Sequence, residues 1–455
     1  MKTFKRILFA FFLGVIFGVW SFLSLETLLG TLLIVPIFTF LYYRFPKRDR
    51  PFLIKLCLLA LCLRIVIMLF YYNFYLNQGY QDKLGPDGEN YSQRGWYISR
   101  LIRDENPYRR PQQKEIIFSN HELVVDWYKG KLPPMNYYQV GFFSYMLGIL
   151  YAAFGYCPLL LRMFNSIYSV LTGVLVYYIA LELFNNKVGK IAMLLFLFTP
   201  SVFIHSMTLL KDPSTIFALT LFVWLLIKFI KTVDARWLIF SSIPLIVIEI
   251  IRPRFCYFLI AFVLLIIFLK IQIRFIYKAV FLLFIALILY FFPEIANPIT
   301  YYFDPDIFFS RHIGTVATAG VNYLIFPKEA YKSSYLVGIG SLDIILAFLK
   351  GVFHFLFEPF ISRINSSFSF LAFFQTSFLY FLIPAGVISA LISLKKNFSL
   401  FIIVILFLAM LILFFAVNEG NVGTAFRHRD MVMPYLLIFG VAGIIAKLSG
   451  NDSIF

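Results

Sequence analysis

The chain has 455 residues, of which 61% are hydrophobic and only 14% charged. A soluble domain needs far more polar surface, so the composition specifies a polytopic membrane protein. The net charge of +17 at pH 7 does not point to nucleic acid: the basic residues fall in short clusters between apolar runs, as a positive-inside bias requires, and not on one soluble face.

The N-terminal "MKTFKR" and the apolar run behind it resemble a signal peptide. No small-residue cleavage site follows and a second run comes directly after, which predicts an uncleaved first helix. Apolar runs of spanning length lie at roughly 7–24, 27–43, 52–76, 159–183, 188–206, 213–231, 237–251, 255–270, 275–292, 369–394, 398–416 and 431–448. Two more, 137–155 and 341–361, are interrupted by polar residues and read either as spans or as helices at the interface. If neither crosses, the basic connectors "RFPKRDR", "NNKVGK", "KFIKTVDAR", "KIQIRFIYK" and "LKKN" all face one side. That predicts an all-α membrane protein of about twelve spans, multi-pass in a bacterial inner membrane, with both termini cytoplasmic. Fourteen spans is the alternative, because two added crossings restore parity. The twelve-span reading makes 1–455 a single integral domain. Its two large loops, 77–136 and 293–340, lie outside with three short connectors at 206–213, 251–255 and 418–430. Cys57, Cys62, Cys157 and Cys256 lie in or beside apolar runs and read as reduced, buried thiols.

The informative charges are those that topology does not explain. Arg252, Arg254, Arg427 and Arg429 occupy short outer connectors, where the positive-inside rule disfavours them. A local pair of Glu249 with Arg252 or Arg254 is one reading of "IEIIRPR". The arginine fork also suits phosphate oxygens, and "GTAFRHRDMVMP" sets two arginines around a histidine just before a span. Anchoring to anionic lipid is the alternative there. His205, Lys211 and Asp212 meet at the outer junction "HSMTLLKDPS", where Asp212 before Pro213 also suits a helix N-cap. In the first outer loop "GPDGENY" reads as a turn through Pro86 and Gly88 that aims Asp87 and Glu89 at the membrane. Tyr91, Trp96, Ile98, Leu101 and Ile102 then follow helical spacing, predicting an amphipathic helix on the membrane surface.

The order of these features resembles the GT-C superfamily of polyprenyl-phosphate-sugar-dependent glycosyltransferases, particularly the protein O-mannosyltransferase and aminoarabinose-transferase-like branch. The likeness runs over roughly 80–232: Asp87, Glu89 and Tyr91 in the first loop, then "PPMNYYQVGFFSYMLGILYAAFGY", "RMFNSIYSVLTGVLVYYIALELF" and "TPSVFIHSMTLLKDPS". Two positions depart from the family pattern, Gly88 between the acidic residues and Lys211 before Asp212. The resemblance implies a GT-C-like fold and an inverting sugar transfer at the extracytoplasmic face. Asp87, with Glu89 beside it, would be the general base. Arg427, Arg429, Arg252 and Arg254 would stabilise the donor phosphate, with Arg162 a further candidate. Tyr91, Lys211, Asp212 and His205 would contact substrate. Partners would be a polyprenyl-phosphate-linked sugar, a glycan, lipid or protein acceptor and the surrounding lipids, with no nucleic acid. A divalent cation, Mg or Mn, would take Asp87 and Asp212 as oxygen ligands if it is used. An envelope polysaccharide polymerase is one rival; it usually places its main outer loop late in the chain. A transporter or flippase is the other; it predicts charges at the bilayer midplane and paired broken helices.

Overall fold

A computed structural model describes residues 25–76, 82–105, 142–252, 255–270, 305–318, 320–331 and 340–449. Among these residues the regular structure is helical throughout. The one β-type contact is an isolated antiparallel bridge between Asn322 and Asn421. The expected spans 7–24 and 275–292 fall outside the described residues, as do 77–81 and 106–136 of the first expected loop and 293–304, 319 and 332–339 of the second. Among the described residues, five helices are long and apolar enough to cross a membrane, and a sixth crossing results if one bent pair is counted as a unit.

The helices are α1 (Leu25–Arg44), α2 (Arg50–Phe74), α3 (Pro86–Ile102), α4 (Phe142–Phe154), α5 (Pro158–Leu183), α6 (Asn186–Phe198), α7 (Pro200–His205) and α8 (Asp212–Thr232). They continue as α9 (Ala235–Ile251), α10 (Phe255–Lys270), α11 (Pro305–Val316), α12 (Ser341–Phe357), α13 (Ser367–Lys396), α14 (Phe398–Asn418), α15 (Val422–Arg429) and α16 (Met433–Ser449). The spanning five are α2, α5, α8, α13 and α14, and the bent pair is α15 with α16, at 66°. The doubtful segments 137–155 and 341–361 hold α4 and α12, of 13 and 17 residues.

One expected span is not continuous. The run 188–206 divides into α6 and α7, because Pro200 lacks an amide hydrogen and holds Thr199 extended, at φ −59° and ψ 123°. The opening of the first outer loop also differs from expectation. The "GPDGENY" turn is the first turn of α3, with Pro86 at the first helical positions and Asp87 and Glu89 behind it. Trp96 and Ile98, expected to face lipid, are buried, whereas Leu101 and Ile102 are exposed.

The chain forms two compact units. The first comprises Met1–Leu175, Met193–Leu221 and Ile246–Pro253. Its core packs α3 on α4: Trp96, Phe143, Leu147 and Tyr151 are buried together with Tyr156, Leu160 and Leu209. Glycine lets these helices touch. A Cβ on Gly95 would lie 2.7 Å from Leu147 Cβ, and one on Gly148 would lie 2.6 Å from Ile98 Cγ2. Small residues at such a crossing bring the backbones together. Gly155, at φ +82°, closes α4 in a left-handed cap, its amide bonded to Tyr151 O at 2.9 Å.

The second unit comprises Val176–Ala192, Phe222–Leu245 and Arg254–Phe455. Here α13 packs on α16 along a similar seam; a Cβ on Gly443 would lie 2.1 Å from Ala385 O. Asn397 Oδ1, accepting from Leu400 N at 3.3 Å, starts α14 directly after α13 ends at Lys395 and Lys396. Lys395 and Lys396 thus mark one end of this helix pair, and Ser366 with Glu419 the other.

Candidate functional site in the first unit

The connector 206–210, between α7 and α8, is held by one face of α5. Arg162, Asn165, Ser166 and Ser169 share that face because helical neighbours recur at three and four residues. Asn165 Nδ2 donates to Thr208 O at 2.7 Å and Leu210 O at 2.8 Å. Ser166 Oγ donates to Ser206 O at 3.1 Å, and Arg162 Nη1 to Met207 O at 3.1 Å. The "RMFNS" motif is therefore a clamp on backbone carbonyls.

Arg162 Nη2 also forms a buried ion pair with Asp82 Oδ2 at 2.7 Å. Asp82 Oδ1 accepts from the amides of Leu84 and Gly85, both at 3.1 Å, and from Tyr71 Oη at 3.2 Å. Burial pushes the Asp82 carboxyl up, but the Arg162 guanidinium and the three donors outweigh it and hold the group below the usual carboxylate range. Asp82 thus ties the residues that start α3 to α5. No motif in the sequence singled it out; an acidic side chain four residues before a helix start was its only signal.

Two glycines complete the junction. A Cβ on Gly85 would lie 2.8 Å from Thr208 Cβ, and one on Gly88 2.9 Å from Leu209 Cβ and 3.2 Å from the Leu209 backbone. Gly88 is where α3 meets the 206–210 connector. The contact brings the first turn of α3, with half-buried Asp87 and Glu89, against that connector. Lys211 Nζ lies 5.7 Å from the Tyr91 ring centroid. Tyr156 feels the charges of both Arg162 and Glu89, and burial raises its phenol above the ordinary value. Its hydroxyl meets Ser92 Oγ at 3.2 Å, and Ser92 also meets Tyr151 Oη at 2.7 Å.

Asp212 begins α8 and is buried, where its Oδ1 pairs with Arg252 Nη2. This pair joins residues 40 apart, in two separate outer connectors. His205 is buried at the end of α7, where its carbonyl accepts from Thr208 Oγ1 at 2.8 Å. Asp87, Glu89, Tyr91, Arg162, His205, Lys211, Asp212 and Arg252 all belong to the first unit, linked in part by the Asp82–Arg162 and Asp212–Arg252 pairs and the approach of Lys211 to Tyr91. Arg254 lies outside the described residues.

Arg427 and Arg429 belong to the second unit. Arg429 is wholly buried. Its Nε donates to Phe355 O at 2.7 Å, its Nη1 to Thr376 Oγ1 at 2.9 Å and its Nη2 to Glu358 O. It pins α12 and α13 to α15. Its donors go to protein oxygens, which is not the arrangement expected of a phosphate ligand. Arg427 is half-buried beside it.

Asp212 gives an oxygen to Arg252, and among the described residues no three His, Cys, Asp or Glu side chains converge on one point. Comparison with protein-family models, curated proteins and solved structures finds no match.

Proposed function

We propose that the chain is a glycosyltransferase. It moves a sugar from a polyprenyl-phosphate donor to a glycan, lipid or protein acceptor of the bacterial envelope, on a GT-C-like scaffold of about twelve spans. The reaction belongs to the extracytoplasmic face of the inner membrane, with both termini inside. The observation that carries this reading is the locked start of α3: Asp82, Arg162, Gly85 and Gly88 hold the turn bearing Asp87 and Glu89 against the connector that ends in Lys211 and Asp212.

Asp87 accepts the proton of an acceptor hydroxyl as that oxygen attacks the anomeric carbon. The bond from that carbon to the phosphate oxygen breaks on the opposite face, so the anomeric configuration inverts and polyprenyl phosphate leaves. Lys211 and Arg252, the cations of this unit's outer connectors, balance the charge gathering on the departing phosphate. Tyr91 offers a ring face to sugar, and Glu89 accepts from its hydroxyls. The reading needs no metal step.

A transporter would use the broken α6–α7 helix to present bare carbonyls to an ion. In this chain Leu197 O, at that break, accepts from Arg64 Nη2 at 2.7 Å, so the break is sealed by the protein. The decisive test is Asp87→Asn in membranes supplied with labelled polyprenyl-phosphate sugars. Transfer should fall by at least about a hundredfold, within the usual range for loss of a general base; wild-type transfer by a folded variant rejects the assignment.

A further inference from the structure

The second unit carries a polar cluster that the proposed transfer does not use. It sits at the end of α13 and α14 away from Lys395 and Lys396, the end that the positive-inside reading places outside. Glu358 and Glu419 are both buried there. Glu358 Oε1 meets His354 Nδ1 at 3.0 Å and Arg363 Nη1 at 3.2 Å, while Oε2 accepts from Phe360 N at 3.1 Å. Glu419 Oε1 meets His428 Nδ1 at 2.7 Å and Arg311 Nη2 at 3.5 Å.

Tyr323 stands between these two groups. Its amide donates to Gly420 O at 2.8 Å, and its ring stacks on His354 at 4.6 Å. Its hydroxyl senses the charges of Glu419, Arg429 and Glu358. The side chain is 2% exposed, and its oxygen has no hydrogen-bond partner. A buried hydroxyl left in this state costs stability, so it marks a place for an acceptor from outside the protein.

The two arginines supply the rest. Among the described residues, Arg311, 47% exposed, meets Glu419 by one nitrogen, and Arg363, 29% exposed, uses Nη1, on Glu358 and on Asn322 O at 3.2 Å. Each guanidinium is thus aimed by a buried carboxylate, with most of its fork uncommitted. Exposed Ile361 and Phe368 lie two and five residues from Arg363 in the chain, and exposed Phe353 packs on Phe360 at 5.6 Å.

We propose that this cluster binds a phosphate group, gripped by Arg311 and Arg363 and met from below by the Tyr323 hydroxyl. A phosphate offers acceptors to two planar forks and a hydroxyl together, which a flat carboxylate does less well. The apolar border favours a phosphate borne on a lipid over free phosphate. The inference shares no residue with the transfer proposed for the first unit and does not depend on it.

The test uses the full chain in maltoside micelles, with farnesyl phosphate, farnesol and inorganic phosphate as probes, read by native mass spectrometry and by the thermal shift on binding. Farnesyl phosphate should bind and farnesol should not. The double variant Arg311→Gln, Arg363→Gln should lose one bound equivalent, its affinity falling at least about tenfold, as loss of charge-assisted bonds implies. Asp87→Asn should leave that equivalent in place, which separates this site from the transfer reaction. Competition by inorganic phosphate at matching concentration identifies free phosphate as the source; its failure to compete identifies a lipid headgroup. Tyr323→Phe provides the check should the double variant not fold. It should unfold at a higher temperature than wild type without ligand and gain less from farnesyl phosphate. Undiminished binding by either folded variant, or equal binding of farnesol, overturns the proposal.

Discussion

Arg64 lies in the middle of α2, fully buried in an otherwise apolar helix. Its Nε donates to Ser206 Oγ at 2.8 Å, its Nη1 to Ala60 O at 3.0 Å, and its Nη2 to Ser169 Oγ at 3.2 Å as well as to Leu197 O. The Phe203 ring covers the guanidinium at 4.5 Å. An intramembrane arginine reads by default as functional, but this one spends its donors on the break between α6 and α7. Arg64→Met should therefore lower stability by roughly 3 kcal/mol, the scale of a broken buried polar network. Arg64→Lys should not restore it, because one ammonium cannot span four acceptors; thermal unfolding in detergent measures both. Removing one member of the Asp82–Arg162 pair should cost about 3–5 kcal/mol by stranding the other charge. Asp82→Asn should accordingly be worse tolerated than Asp87→Asn in the same assay. Residues of this kind were partly legible. Arg162 and Asn165 lay in a quoted motif, but their acceptors are backbone carbonyls 40 and more residues on, which no local pattern encodes. Asp82 and Glu358 gave almost no signal, because an isolated carboxylate in a connector looks solvated until its partner is known.

Among the elements, α3 shows how a helix start becomes a site. Pro86 and Gly88 read as a turn, whereas the structure makes them the first turn of the helix, and the direction in which it faces follows from contact with the connector before α8. Gly88→Ala would set a methyl 2.9 Å from Leu209 Cβ. Neither backbone can yield freely, so the change should cost about 1–3 kcal/mol and reduce transfer in the assay used for Asp87→Asn. Gly88→Asn should be worse and Asp87→Glu milder. The α3–α4 crossing gives a second test. Gly95→Leu should separate the two helices and expose Trp96, seen as a red shift of its fluorescence in a variant retaining that tryptophan alone. Apolar runs located the long helices within a few residues, since a 20-residue apolar stretch has little choice but to be helical in lipid. The break at Thr199 was missed because hydropathy averages over the proline that makes it.

For the whole molecule, acid should act on the two units in sequence. Burial pushes His312, in the second unit, down to about 4. It sits neutral, with Glu419 O at 2.8 Å from Nδ1 and Tyr331 Oη at 3.0 Å from Nε2. A histidine with a lowered folded pKa contributes stability that is complete above its unfolded value, near 6.5. That contribution is lost as pH falls toward about 4. Asp82, held below its usual range, loses its contribution only below its unfolded value of about 3.9. Thermal stability should therefore decline first between about pH 6.5 and 4, and His312→Gln should flatten that decline. Buried Cys57 and Cys157 of the first unit should resist dithiodipyridine until the more acidic range. Their labelling at pH 5 at the same rate as in denaturant would refute the order.

What the sequence by itself determined is the class of molecule, a helical membrane protein. Its apolar runs, basic connectors and lone outer-face charges are local properties, and lipid forces local properties into helices. Tertiary structure alone decided which charges meet. Asp212 with Arg252, Asp82 with Arg162, and Glu419 with Arg311 are pairs between residues far apart in the chain. A buried charge is tolerated only where an opposite charge or a set of dipoles reaches it, and that reach depends on how helices pack, which periodicity and composition do not record.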